Sequence, residues 1–280
     1  METLIEETAK MFSITALRYF VLAGAPFVIF YLLLPTKASR FKIQEKKASK
    51  KDFLREVWHS MQSNLVFTII AVAVLLTPLK SYTQVYDHIN DYPKWYFWLS
   101  VAGCLIVHDT YFYWMHRLLH HKKLFKLTHV VHHQSTNPSP WTSYSFHLFE
   151  AVTEGAILLV LVFLFPLHRY AIVLFTVSSF LINVYGHLGY EIAPKWFRHT
   201  WLFEAFNTSV HHNLHHSKFK GNYGLYFRFW DRIMRTEYPN YVKEYDKLQE
   251  KRFGKEIKSA VNEQSANHLN HQTKVPQTIN

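Results

Sequence analysis

Residues 65–79 read LVFTIIAVAVLLTPL, and residues 156–167 read AILLVLVFLFPL. Neither stretch has the polar stripe that a helix on a soluble core keeps toward water. Both are therefore read as helices surrounded by lipid or by other apolar helices. Three more apolar blocks flank them: Phe12–Leu34, interrupted by Arg18 and Pro26, then Trp95–Val107 and Tyr170–Tyr185. A clean single span needs about 20 apolar residues. Only the first block reaches that length alone, so the others must recruit flanking Trp, Tyr and Ser or pair as tilted hairpins. The expectation is an all-α integral membrane bundle with four or five crossings.

Composition agrees. Of 280 residues, 49% are hydrophobic and 17% aromatic, which excludes a disordered chain. The single cysteine, Cys104, excludes a disulfide framework, a CxxC pair and a thiolate zinc cluster. Lys and Arg number 31 against 20 Asp and Glu, and the excess is not spread evenly. The first loop holds Lys37, Arg40, Lys42, Lys46, Lys47, Lys50, Lys51 and Arg55, whereas the second holds only Lys80 and Lys94 beside Asp87 and Asp91. Basic residues return at Arg117, Lys122, Lys123 and Lys126, and again from Lys195 to Lys220.

By the positive-inside rule this alternation puts the N-terminus outside and the first loop, the His-rich segments and the C-terminus inside. Such basic collars suit anionic lipid headgroups rather than nucleic acid. The opening residues, with Glu2, Glu6 and Glu7, lack a signal-peptide n-region, so the first block is expected to be a retained anchor. Three parts are expected: membrane anchor helices with the basic loop at 1–94, a catalytic domain at 95–245, and a polar, mobile tail at 246–280. The terminal QTIN is not a retrieval signal for the endoplasmic reticulum, which favours a bacterial cytoplasmic membrane.

Fifteen of the nineteen histidines fall between His108 and His216. Their spacing says more than their number. His116 and His120 stand four apart in HRLLH; His129, His132 and His133 form HVVHH; His211, His212, His215 and His216 form HHNLHH. Helical positions three and four apart share a face, so each cluster can aim two or three rings at one point. Neutral imidazole is the commonest metal-donating side chain, and packing so many rings without a cation is costly. A structural zinc needs four ligands. Nine or ten histidines divide more naturally into two metals with about five ligands each, leaving open positions. Iron is the first expectation and zinc the second.

Other site chemistries fail. There is no HExxH motif and no Gly-rich phosphate loop. Only Glu56–His59 has the Glu-x-x-His spacing of carboxylate di-iron bundles, and it lies far from the clusters. A metal transporter would carry its ionisable groups within the spans, whereas these lie beyond the apolar blocks.

HDTYFYWMHRLLH (108–120), HVVHH, NVYGHLGY (183–190) and HHNLHH, followed by GNYG (221–224) and FWDR (229–232), resemble the fatty acid hydroxylase superfamily, particularly its sterol desaturase branch. The resemblance covers Trp95 to Glu237. It implies a membrane-embedded di-iron oxidoreductase that desaturates or hydroxylates a sterol or other lipid with dioxygen and external electrons. A hydroxylase of fatty acyl, sphingoid or alkylglycerol lipids is the neighbouring alternative. The implied metal ligands are His116, His120, His129, His132, His133, His187, His212, His215 and His216. His211 joins them, at a position where only some branches of the family have a histidine.

His108, Asn183 and His147 are expected to support the ligands rather than bind metal. The implied cap carrying the site lies on the cytosolic side. No fused cytochrome or flavin segment is visible, so the electron donor is expected to be separate, cytochrome b5-like or ferredoxin-type. One departure stands out: the family ends this region with an aromatic-Gly-Thr turn, and here Met234, Arg235 and Thr236 occupy it.

Overall fold

The structure, a computed structural model, describes residues 2–46 and 48–254. Each apolar block forms the middle or end of a longer helix. Helix α1 (Glu2–Phe27) contains Pro26 near its end and continues as a π-helical turn, Val28–Leu33. A proline lacks the N–H that a regular α-helix uses, and widening the turn accommodates it. Helix α2 (Lys50–Leu76) starts at a capping box, in which Asp52 N–H donates to the Ser49 side chain and Ser49 N–H to the Asp52 carboxylate, and it stops before Pro78.

The two-residue strand β1 (Val85–Tyr86) precedes α3 (Lys94–Leu119). Short helices α4 (Phe125–Thr128) and α5 (Val130–His133) carry HVVHH. Then come α6 (Leu148–Leu164), strand β2 (Leu167–His168) and α7 (Arg169–Gly186). Helices α8 (Trp201–Ala205), α9 (Ser209–Lys218) and α10 (Phe229–Ile233) complete the cap together with a helix at 241–254.

Val74 of α2, Cys104 of α3, Ile157 and Leu161 of α6 and Phe175 of α7 meet in one core cluster. Helix α1 joins through Tyr19 and Ala23 against Phe180 and Val184. On the outside, Ile14, Leu17, Ile69, Ile106 and Val173 are each more than half exposed. That much apolar surface on four helices suits lipid and not water. Among the described residues, three helices are long and apolar enough to cross a membrane: Thr3–Leu33, Lys50–Leu76 and Arg169–Gly186. Helices α6 and α7 follow one another through β2, with α6 packed chiefly on α2 and α7 on α3.

The two ends of the bundle differ. At one, β1 pairs in parallel with β2, Val85 opposite Leu167 and Tyr86 opposite His168, while Asp87 takes ion pairs from Lys80 and Arg169. At the other, the Tyr31 hydroxyl donates to the Leu188 carbonyl and the Gln44 amide to Asn213 Oδ1 of α9. The basic first loop therefore lies at the same end as the His-rich cap. One boundary differs from expectation. Residues 246–254 are not tail but the second half of a packed helix, with Leu248 and Arg252 buried and Arg252 donating to the Ala193 carbonyl. Apolar contacts at helical spacing there are sparse in sequence, and Tyr241 and Tyr245 supply the rest. The remaining expected tail, 255–280, lies outside the described residues.

Candidate metal centre

Nine histidines converge at the cap end in two adjoining groups. His116, His120, His129, His133 and His215 form one; His132, His187, His212 and His216 form the other. Helical geometry explains the sorting. His116 and His120 project from one face of α3's last turn, as do His212 and His216 from α9. His215 lies on a neighbouring face of α9 and enters the first group. HVVHH likewise feeds both, His129 and His133 one way and His132 the other. His187 caps α7 where the chain leaves the bundle. The groups touch, with the His133 and His216 ring centres 4.8 Å apart.

The donor chemistry identifies what belongs between these rings. His116 Nδ1 donates to the Tyr223 carbonyl at 2.8 Å, His215 Nδ1 to Gly221 at 2.8 Å and His187 Nδ1 to Asn183 at 2.8 Å. A carbonyl only accepts, so each of these rings carries its proton on Nδ1 and presents a bare lone pair at Nε2. His129 Nδ1 is held the same way by Glu150 Oε1 at 2.6 Å. Yet His116 Nε2 lies 3.0 Å from His129 Nε2. In the second group, His187 Nε2 lies 2.9 Å from that of His212 and 3.3 Å from that of His132. Lone pairs facing one another at such distances repel unless a cation sits among them. All-nitrogen sets fit a transition metal, not magnesium or calcium.

Burial favours the same state. It pushes His215 down to about 4 and His187 to about 3, and it holds His129, His132, His133, His212 and His216 well below the ordinary imidazole range, with repulsion from neighbouring rings adding to it at the latter five. The rings are therefore neutral near pH 7 and ready to donate.

The segment after α9 is a backbone template for two of these rings. Gly221 has φ 79°, and a Cβ there would stand 2.4 Å from the Thr236 carbonyl oxygen. Asp231 accepts from Tyr223 N–H at 2.9 Å, Gly224 N–H at 2.7 Å and the Thr236 hydroxyl at 2.7 Å. GNYG and FWDR thus lock together and present the Gly221 and Tyr223 carbonyls to His215 and His116. At the departure from the family's turn, Arg235 adopts φ 54°, the left-handed conformation that glycine takes readily. The turn persists without the glycine.

Four expected site residues lie outside the two groups, three of them expected only to support the ligands. His211 belongs to neither group: one turn before His215, its ring packs 5.0 Å from Tyr241, and both ring nitrogens lack partners. His147 caps α6 through Phe149 N–H. His108, two turns before His116, lines a cavity among the helices. Asn183 supports His187 through its backbone carbonyl, while its side-chain amide donates to Ser143. Sequence reasoning passed over Glu150, Asp231 and the Gly221 and Tyr223 carbonyls. Carbonyls leave no mark in sequence, but Glu150 and Glu154 stand at the start of an otherwise apolar helix, and carboxylates there were a usable signal.

The fatty acid hydroxylase family profile matches residues 101–236, which contain every histidine of both groups. A lathosterol oxidase of Rattus norvegicus is 31% identical over 240 residues, covering 83% of this chain and 76% of that protein. A Delta(7)-sterol 5(6)-desaturase of Gibberella zeae is 28% identical, covering 77% and 58%, and methylsterol monooxygenase 1 of Rattus norvegicus is 28% identical, covering 76% and 72%. No solved structure matches the chain. With the histidine pattern, the apolar bundle and these relatives in agreement, the chain belongs to the fatty acid hydroxylase family, as a membrane oxidoreductase of its sterol-desaturase branch.

Proposed function

We propose that the protein holds two irons and uses dioxygen with electrons from a separate donor, cytochrome b5-like or ferredoxin-type, to desaturate or hydroxylate a sterol-type lipid. The observation that carries this reading is a largely apolar cavity of about 520 Å³ that reaches residues packed against the second imidazole group. Phe67, Ile70, Ile157 and Phe175 wall the cavity, which reaches Phe146 and Asn183. Phe146 packs 5.1 Å from the ring of His132, and Asn183 carries the carbonyl that holds His187. A lipid in the cavity therefore ends beside Phe146 and Asn183, the residues that back the second group of histidines.

Iron is preferred to zinc because zinc has no redox chemistry. When bound, the metals supply the reduction of dioxygen and the oxidising power to break an unactivated C–H bond. The chain's own contribution is positional. Glu150, Gly221, Tyr223 and Asn183 fix which nitrogen of each ring faces inward. The aromatic and aliphatic walls exclude water and admit a rigid apolar ligand. The histidine end is assigned to the cytoplasmic side, where a soluble or membrane-tethered donor can reach it, and the membrane to a bacterial cytoplasmic membrane.

The decisive experiment compares lipids of cells lacking the protein with lipids of cells restored with the wild type or with His132→Ala. A sterol-type lipid that loses two hydrogens or gains one oxygen only with the wild type is the expected result. No such change in any lipid, from protein shown to contain iron, would overturn the reading.

A further inference from the structure

Among the described residues that line the cavity, three carry a buried polar atom without a hydrogen bond: Arg18 Nε, Asn183 Oδ1 and His108 Nε2. His108 is 6% exposed, yet its Nε2 makes no hydrogen bond. Its other nitrogen is occupied: Nδ1 and the Tyr226 hydroxyl lie 2.8 Å apart, with Ser179 Oγ at 3.5 Å. The ring is clamped edge-on between Phe175 and Tyr226, so it cannot turn away to find another partner. His108 and Ser179 both line the cavity. A buried imidazole nitrogen left unpaired costs about 1–3 kcal/mol, and no side chain of the cavity wall hydrogen-bonds it.

We infer that His108 Nε2 is the anchor for a hydroxyl group on the lipid that fills this cavity. The inference rests on the lipid-oxidising reading above and names the polar feature its substrate must carry. A hydroxyl both gives and accepts a hydrogen bond. It therefore satisfies Nε2 whichever tautomer the Tyr226 contact selects.

The anchor also sets the site of oxidation. His108 precedes the metal-facing His116 by eight residues of α3, a rise of about 12 Å. A lipid held there by its hydroxyl presents to the histidine groups carbons within about that distance of the oxygen, not the end of a longer chain. Such a requirement fits a ring alcohol better than an unbranched acyl chain.

Binding of matched pairs tests this without turnover. The probes are lathosterol and its 3-O-methyl ether, and hexadecanol and its methyl ether, each measured by equilibrium binding to the full-length protein in detergent. The wild type is expected to bind one alcohol about 10- to 100-fold more tightly than its ether, as a buried hydrogen bond implies. His108→Phe is expected to erase that ratio, binding alcohol and ether alike, with metal content unchanged. His108→Gln, which keeps a donor and an acceptor, is expected to restore part of it. Because the ratio is taken within one variant, a protein that fails to fold shows no ether binding and is recognised as such; the Gln variant then decides. A preference confined to the hexadecanol pair supports the anchor while sinking the sterol reading. Equal binding of alcohol and ether by the wild type in both pairs overturns the anchor, whatever the lipid analysis shows. An alcohol preference retained in full by His108→Phe overturns it too.

Discussion

At the scale of single residues, the site depends on which nitrogen each histidine turns inward. His215 and His216 are sequence neighbours, yet one faces the first group and the other the second. Purified protein is expected to contain two metal ions per chain; His215→Ala and His216→Ala should each deplete it, and His121→Ala, an exposed ring outside both groups, should not. Elemental analysis of the three variants checks this. Glu150→Gln preserves the shape of the contact to His129 but removes the charge that makes Nε2 a strong donor. Metal affinity is then expected to fall about 10- to 100-fold with the fold intact, as read by competition with a chelator. Asn183→Ala should leave metal content close to normal, because the atom that supports His187 is a backbone oxygen that alanine also carries.

Among the elements, the turn joining α9 to α10 carries the most constraint for its size. Gly221→Ala meets both a left-handed φ and a carbonyl 2.4 Å away. It is expected to lower stability by at least about 2 kcal/mol and, by displacing the carbonyl on His215, to lower metal content as well. Arg235→Gly runs the other way. It relieves a left-handed arginine at φ 54° and should raise stability by up to about 1 kcal/mol. Denaturant titration in detergent reads both changes. The pattern HxxxH shows that two rings share a face, and it does so correctly in α3 and α9. HHNLHH does not show that His211 drops out, because that depends on Tyr241 and Asn222, the residues that receive the first turn of α9.

The whole molecule is asymmetric along the bundle axis. Its nine clustered histidines and its most basic loop share one end, and the acidic Asp87 and the β1–β2 ladder mark the other. A reporter fused after Thr236 and one inserted beside Lys46 should therefore report the same compartment, expected to be the cytoplasm. One inserted beside Asp91, between β1 and α3, should report the opposite side. Finding the Lys46 and Thr236 reporters on different sides would contradict the contact of the first loop with the cap, where Gln44 donates to Asn213.

Apolar runs without a polar stripe, basic loops at alternate connections and histidines at helical spacing are local patterns, and local patterns survive in a linear string. They were enough for the all-α membrane architecture and for three of the four segments that supply the nine rings. Sharing of those rings between two centres was a different matter. It follows from the angles at which α3, α5, α7 and α9 meet, and those angles come from packing between residues far apart in the chain. The same holds for His108, which reads as an early member of HDTYFYWMHRLLH and sits instead in a cavity closed by Phe175 and Tyr226. Backbone carbonyls that orient His116, His187 and His215 are common to every residue type. Only folding gives them a direction.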